Sequence, residues 1–261
     1  MTKPLCDIID WQRHPIDSPD YINAAKETLQ DNGVICLSGF LQPHILRQMI
    51  KEADEQAHLA YFANQTHNVY LTPPDDALPK DHAFNRQVIS SKGCITTDQI
   101  AADSDLHTLY HDPLFKKFIC QLVEQDNVYA YADPLSSINV HYAHEGQELG
   151  WHFDNSSFAI TLLLQAPKAG GEFLYVKDVR NADAGEMNFE AVSDILDGKM
   201  TPTHLPITPG SLVLFRGRNA MHCVTPTIGD TPRYLVVLAY NDRPDIALSE
   251  SARMTFFGRL G

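Results

Sequence analysis

The chain has 261 residues, 44% of them hydrophobic and 20% charged, proportions of a globular protein that exclude a disordered or collagen-like polymer. Its 33 Asp+Glu against 20 Lys+Arg give a net charge of −13, which repels phosphate backbones and anionic lipid, so neither nucleic acid nor a membrane is expected as a partner. The longest apolar runs, 159–164 and 234–240, are too short to cross a bilayer.

The first half reads as mostly helical. Ser18-Pro19-Asp20 opens a helix that Asn32-Gly33 stops. Residues 34–37 form a short apolar strand. Pro43 then opens an amphipathic helix expected to run to about Phe62, with Ile45, Met49, Ala53 and Ala57 on one stripe. Residues 63–100 hold several prolines, asparagines and serines with little periodicity, and are expected to form a lid or binding loop. A second helical stretch covers 104–125, bent near Pro113.

From Val128 the pattern changes to eight short apolar segments between Pro-Gly and Gly-Gly turns: 129–131, 137–142, 150–153, 158–164, 172–176, 211–215, 222–225 and 233–240. This suggests a β-sandwich or jelly roll, interrupted by a helix near 187–198. The expected organisation is α+β: an N-terminal helical region with its loop (1–127) packed on a β core (128–261) as one domain. Five cysteines (Cys6, Cys36, Cys94, Cys120, Cys223), odd in number and without C-x-x-C, read as reduced thiols of a cytoplasmic protein. The first residues carry no apolar h-region of a secretory signal.

The chemistry is concentrated in His152-Phe153-Asp154. On a strand, residues i and i+2 share a face, so one imidazole and one carboxylate converge while Phe153 turns into the opposite layer. A two-His-one-carboxylate iron(II) site needs one more imidazole and leaves three positions open. His222, just after the strand 212–215, is the best-placed candidate, with His141, His144 and His204 as rivals. Taken alone, His-x-Asp is a chance pattern more often than a site. Arg233 raises the odds. It opens a strongly apolar strand, where an unpaired guanidinium would be costly and where its fork matches a carboxylate. The ordinary alternative is a pairing with an Asp or Glu of the chain itself.

Together, Trp151-His152-Phe153-Asp154, Gly170-Gly171-Glu172-Phe173, Pro209-Gly210-Ser211-Leu212-Val213-Leu214-Phe215, His222-Cys223-Val224-Thr225-Pro226 and Arg233-Tyr234 resemble the iron(II)/2-oxoglutarate-dependent oxygenase superfamily. The resemblance implies a double-stranded β-helix (jelly roll, cupin-like) core. It implies iron(II) on His152, Asp154 and His222, the distal carboxylate of 2-oxoglutarate on Arg233, and O2 as oxidant. It implies, more weakly, co-substrate contacts from Thr225 and Asn139.

The stretches 133–137, 155–165 and 253–259 are similar to a narrower group, the radical halogenases of lysine and related free amino acids and their hydroxylase relatives. The halogenases of that group carry Gly where this chain has Asp154. A carboxylate there fills the position that a halide would take, so the resemblance implies the hydroxylase branch and a free amino acid, lysine or a related basic one, as substrate.

For that substrate, Arg86 is the candidate for the carboxylate, and Asp133 and Glu145 are candidates for an ammonium. Asn241 is a candidate for the cavity mouth. Each has an ordinary alternative: a solvated loop arginine or a turn residue. A homodimer is compatible with the sequence. The rival functions are an oxygenase acting on a carrier- or protein-bound side chain or a nucleotide, and a non-oxygenase metal cupin.

Overall fold

A computed structural model describes residues 3–261. The helices are α1 (Leu5–Ile8), α2 (Pro19–Asn32), α3 (Pro43–Gln56), α4 (Asp105–His111), α5 (Pro113–Val123), α6 (Phe189–Leu196) and α7 (Glu250–Phe257). The strands are β1 (Val34–Leu37), β2 (Tyr61–Asn68), β3 (Gln87–Ile95), β4 (Ile138–Ala143), β5 (Leu149–His152), β6 (Ala159–Gln165), β7 (Ala169–Gly170), β8 (Phe173–Val176), β9 (Thr203–Leu205), β10 (Leu212–Phe215), β11 (Met221–Val224), β12 (Thr227–Ile228) and β13 (Arg233–Leu238). No helix among the described residues is long and apolar enough to cross a membrane.

Eleven strands form one curled antiparallel sheet in the order β1-β10-β6-β13-β4-β3-β5-β11-β8-β9, with β2 paired to β3. This is the expected α+β double-stranded β-helix. The expected strand at 129–131 is instead a single bridge from Tyr129 to Asn241.

Two expectations for the first half need correction. The helix opened by Pro43 ends at Gln56, and Phe62 lies on β2. Residues 63–100 are not one long loop: β2 and β3 pair from Tyr61↔Cys94 to Asn68↔Gln87, leaving only 69–86 as connection. The alternation in 87–95 is blurred because β3 also pairs with β4 and β5, so its inner half is buried on both faces. Since β1 and β3 belong to the main sheet, the helical region and the β core do not separate at residue 127.

Strand alternation divides the inner side chains between two environments. Tyr234, Val236 and Leu238 of β13, Val140 and Tyr142 of β4, Ile160, Leu162 and Leu164 of β6, and Leu212 and Leu214 of β10 enter one core with the buried faces of α2 to α5. The intervening residues, Arg233, Leu235 and Val237, His141, Ala159 and Thr161, Val213 and Phe215, line a cavity on the other face. Tyrosine hydroxyls fasten the helical layer to the sheet: Tyr142 donates to Ala53 O (2.9 Å), Tyr234 to Asp54 Oδ1 (2.7 Å) and Tyr110 to Ala239 O (2.6 Å). With one face pinned, the other is held open as a rigid wall.

The turn leading into β4 is organised by Asp133. Its Oδ1 accepts the backbone N–H groups of Leu135 and Ser136 (both 3.0 Å) and the Ser136 hydroxyl (2.8 Å), and its Oδ2 accepts Leu248 N–H (2.8 Å). Burial works against the charge, but the donors from Leu248, Ser136 and Leu135 outweigh it and hold this carboxyl below its ordinary value. Asp133→Ala leaves several buried donors unmet and should lower unfolding free energy by about 1–3 kcal/mol, measured by chemical denaturation. Because the folded pKa is depressed, the charged form's contribution is present above the unfolded value. It is lost as pH falls through the folded one. The stability gap between wild type and Asp133→Asn should therefore narrow on acidification below the usual carboxylate range; a pH-independent gap would contradict this assignment.

Candidate metal centre and cavity

His152 closes β5 and His222 lies on β11, directly opposite each other in the antiparallel register. Their rings sit 4.1 Å apart, centroid to centroid. Asp154 follows two residues after His152, and its backbone N–H donates to Gly217 O (3.0 Å). Its Oδ1 stands 3.8 Å from His152 Nε2 and 3.6 Å from His222 Nε2. Ligand atoms of all three residues lie within 4.8 Å of one another.

The tautomers follow from the backbone. His152 Nδ1 lies 2.8 Å from Gly150 O, and His222 Nδ1 lies 3.1 Å from Ala220 O. A carbonyl only accepts, so each Nδ1 carries the ring proton and each Nε2 presents a lone pair. Burial pushes His152 down to about 3, helped by His222, and His222 down to about 4, so both rings are neutral near pH 7. Burial raises Asp154, opposed by His152 and Lys92. Its Oδ2 is buried without a hydrogen-bond partner. Two lone pairs and a carboxyl group thus converge on one point, an arrangement that a bound cation relieves. The donor set, two imidazoles and one carboxylate on one side, fits a metal with open positions.

Gly217 belongs to this centre. A Cβ at that position would overlap the Asp154 carboxylate, so a missing side chain makes the room for that carboxylate beside the two imidazoles. Phe153 points the other way, as alternation requires. It stacks on Tyr70 (5.5 Å) and lies under the Arg180 guanidinium (4.1 Å).

The centre opens into a cavity of about 580 Å³. Phe215 and Phe173 flank His222 at 4.7 and 5.6 Å. Arg233 lines the same cavity, buried and without an ion-pair partner among the described residues. Burial pushes it down to about 10, still charged near pH 7. The alternative of a pairing with the chain's own Asp or Glu is therefore absent. Among the rival histidines, His141 lines the cavity wall, His144 sits exposed in a turn, and His204 is on the edge strand β9.

The other sequence candidates do not reach the cavity. Thr225 is turned outward by the alternation that turns His222 and Val224 inward, and its Oγ1 accepts Glu172 N–H (3.0 Å). Asn139 spends its amide on Leu135 O (2.8 Å) and Ile138 O (3.0 Å). Arg86 is paired with Asp197 beside α6 (2.6 Å). Asp133 caps its turn. Glu145 is exposed in the turn between β4 and β5. Asn241 bridges to Tyr129 beyond β13.

Sequence reasoning missed Lys92 and His141 as a cavity pair, together with the β2–β3 wall that contributes Gln65, Gln87 and Ser90. The available signal was the spacing of Ser90 and Lys92, two residues apart and so on one strand face.

Asp154→Gly should reduce metal affinity by at least about 100-fold, read by dye-competition titration with Mn(II) or Co(II). Gly217→Ala should weaken it as well by displacing the carboxylate. Wild-type affinity in both variants would remove Asp154 from the ligand set.

A family model described as "Halogenase D" matches residues 17–255. No curated protein matches the chain. Among solved structures, the carbocyclase SnoK from nogalamycin biosynthesis, described as non-heme and alpha-ketoglutarate dependent, is similar with a TM-score of 0.60 and 12% identity, covering 88% of this chain and 89% of its own. The epimerase SnoN in complex with Fe3+, alpha-ketoglutarate and nogalamycin RO gives 0.57 and 12%, covering 85% and 84%. A 2OG-Fe(II) oxygenase family oxidoreductase from Burkholderia pseudomallei gives 0.55 and 13%, covering 86% and 92%. At these identities the likeness establishes the fold. Because the family model spans most of the sequence, the chain belongs to the halogenase D family.

Proposed function

We propose that this chain is an iron(II)/2-oxoglutarate-dependent hydroxylase of an unactivated C–H bond in a free amino acid. The observation that carries the reading is the His152–Asp154–His222 cluster facing the same cavity as the unpaired Arg233. In this reading His152, Asp154 and His222 hold iron(II), and Arg233 grips a carboxylate of 2-oxoglutarate. Iron bound there, with O2 and 2-oxoglutarate, supplies the oxidising power that converts C–H to C–OH while the keto acid becomes succinate and CO2.

The chain's own residues do the rest. Asp154 occupies the ligand position that a halide would need, which favours hydroxylation within a family named for halogenation. The Nδ1 hydrogen bonds to Gly150 O and Ala220 O fix both imidazoles before any ligand arrives, so little reorganisation is required on binding. Phe173, Phe215, Leu235 and Val237 make the wall near the centre apolar, which excludes water from the reacting carbon.

The cavity wall also narrows the substrate. Among the described residues, Asp154 is its sole carboxylate. No acid is therefore placed to receive the side-chain ammonium of lysine, and the wall favours an amino acid with an uncharged side chain over a basic one. An α-ammonium can be met by neutral acceptors. Gln65 and Gln87 line the cavity and donate their amides to Thr255 O and Asn85 O (both 2.9 Å), leaving Oε1 on each to accept.

The test is incubation of the protein with iron(II), ascorbate, 2-oxoglutarate and each common L-amino acid, followed by mass spectrometry. Addition of one oxygen atom to an amino acid, matched by succinate, is the expected result, with uncharged aliphatic side chains ahead of lysine. Chlorination in the presence of chloride, or succinate without any oxidised amino acid, would contradict the proposal. Arg233→Met should raise the 2-oxoglutarate requirement by about 10-fold or more with metal affinity within twofold of wild type. An unchanged requirement would place the clamp elsewhere.

A further inference from the structure

The cavity holds a second cation that the metal-centre reading does not use. Lys92 of β3 is half-buried and lines the cavity. Its Nζ lies 3.2 Å from His141 Nδ1 and 3.4 Å from His141 Nε2. Nearly equal distances to both ring nitrogens mean that the ammonium is aligned on neither lone pair. Among the described residues, no carboxylate comes within ion-pair distance of Lys92. His141 cannot neutralise it, being itself held far below its ordinary pKa by burial and by the neighbouring Lys92 and Arg233 charges.

A lone ammonium and a lone guanidinium on one cavity wall are individually costly and mutually repulsive. Burial lowers the Lys92 pKa in agreement with that cost, and Arg233 adds to the effect. The register shows how the two are related. Arg233 pairs with Ala143, and Leu235, two residues along the same strand face, pairs with His141. On the next strand Gly93 pairs with Tyr142 and Cys94 with His141, so Lys92 continues the row of Ala143 and Arg233 on the same face, two strand spacings from Arg233, on the order of 10 Å between backbones. In the order β13-β4-β3-β5, β3 lies between the strand of Arg233 and the strand that ends in His152, which puts this lysine between Arg233 and the metal centre.

We infer that Lys92 is a second carboxylate anchor, placed between Arg233 and the His152–Asp154–His222 centre, and that the two cations together select a dicarboxylate. This rests on the proposed use of 2-oxoglutarate and names the residue that would contact it besides Arg233. Lys92 is a positioning residue: it fixes the acid along the wall, with the neutral His141 ring beside its ammonium. A carboxylate could also come from the primary substrate, so the probes must separate the two sources.

The test is calorimetric titration of the Mn(II)-loaded protein without turnover, using 2-oxoglutarate and its monocarboxylate analogue 2-oxobutyrate. Wild type, Arg233→Met, Lys92→Met and Lys92→Arg are compared. Lys92→Met should weaken 2-oxoglutarate about 10-fold or more, as expected for losing a charged hydrogen bond, and Lys92→Arg should recover part of the loss. A loss confined to 2-oxoglutarate places Lys92 with Arg233 on the distal carboxylate. An equal loss for both acids places it on the keto-acid head; either result supports the anchor.

Removal of an ammonium that has no ion-pair partner should leave the melting temperature of the ligand-free protein unchanged or raised. A purely structural lysine would lower it. Unchanged binding of both acids in Lys92→Met, with Arg233→Met impaired, overturns the inference, leaves the function reading intact and points to the primary substrate as the source of the anion. Failure of wild type to bind 2-oxoglutarate at all would instead sink the function reading on which this one stands.

Discussion

Everything at the catalytic end of this protein follows from an electrostatic imbalance. Two imidazoles are locked by backbone carbonyls into the tautomer that aims a lone pair inward. A carboxylate is pressed against them, with one oxygen buried and unsatisfied. Neutral solutions exist for such a cluster, by protonation or by a different rotamer. Burial disfavours the first for the rings, holding both far below their ordinary values against the pull of the Gly150 and Ala220 carbonyls. Close packing against Gly217 restricts the second for the carboxylate. The fold thus holds the centre in a form that is unfavourable unless a cation is present, which is how protein sites acquire metal specificity through geometry and ligand type.

The opposite imbalance lies a short way along the same wall. Arg233, buried, and Lys92, half-buried, are basic groups without an ion-pair partner, whereas Asp154 is the cavity's sole carboxylate among the described residues. A cavity that is short of a cation at one point and of an anion at another suits a metal with a chelating diacid better than either alone. The scaffold can sustain both imbalances because the energetic cost is met on the other face of the sheet. There, strand alternation delivers a continuous apolar core under α2 to α5, and tyrosine hydroxyls tie the helices to the strands. The sheet is therefore stiff where it must hold charged groups apart.

What could be read from the sequence followed physical locality. Short apolar segments between turns in the second half located seven of the eight expected strands, because the central strands there, such as 212–215 and 221–224, are buried along their whole length. The convergence of three side chains was legible from spacing: His152 and Asp154 share a face by spacing alone, while His222 required knowing that jelly-roll strands fold back on one another. Residues 63–100 were not legible as β2 and β3. The inner half of β3 is buried on both faces and lacks alternation, and its prolines and asparagines cluster in the connection 69–86. Missing that hairpin meant missing Lys92. The substrate candidates lie away from the cavity for a different reason. Arg86, Asp133, Glu145 and Asn241 were chosen for charge and chain position, and a charged residue in a loop meets a local partner or solvent more often than a ligand: Asp197 for Arg86, a turn's amides for Asp133.

The most direct test of the account is anaerobic titration of the metal-free protein with iron(II) and then 2-oxoglutarate, followed by visible absorption. The account predicts a weak metal-to-ligand charge-transfer band that saturates at one iron and one keto acid per chain. Absence of the band, with zinc bound tightly and indifferent to 2-oxoglutarate, would contradict it.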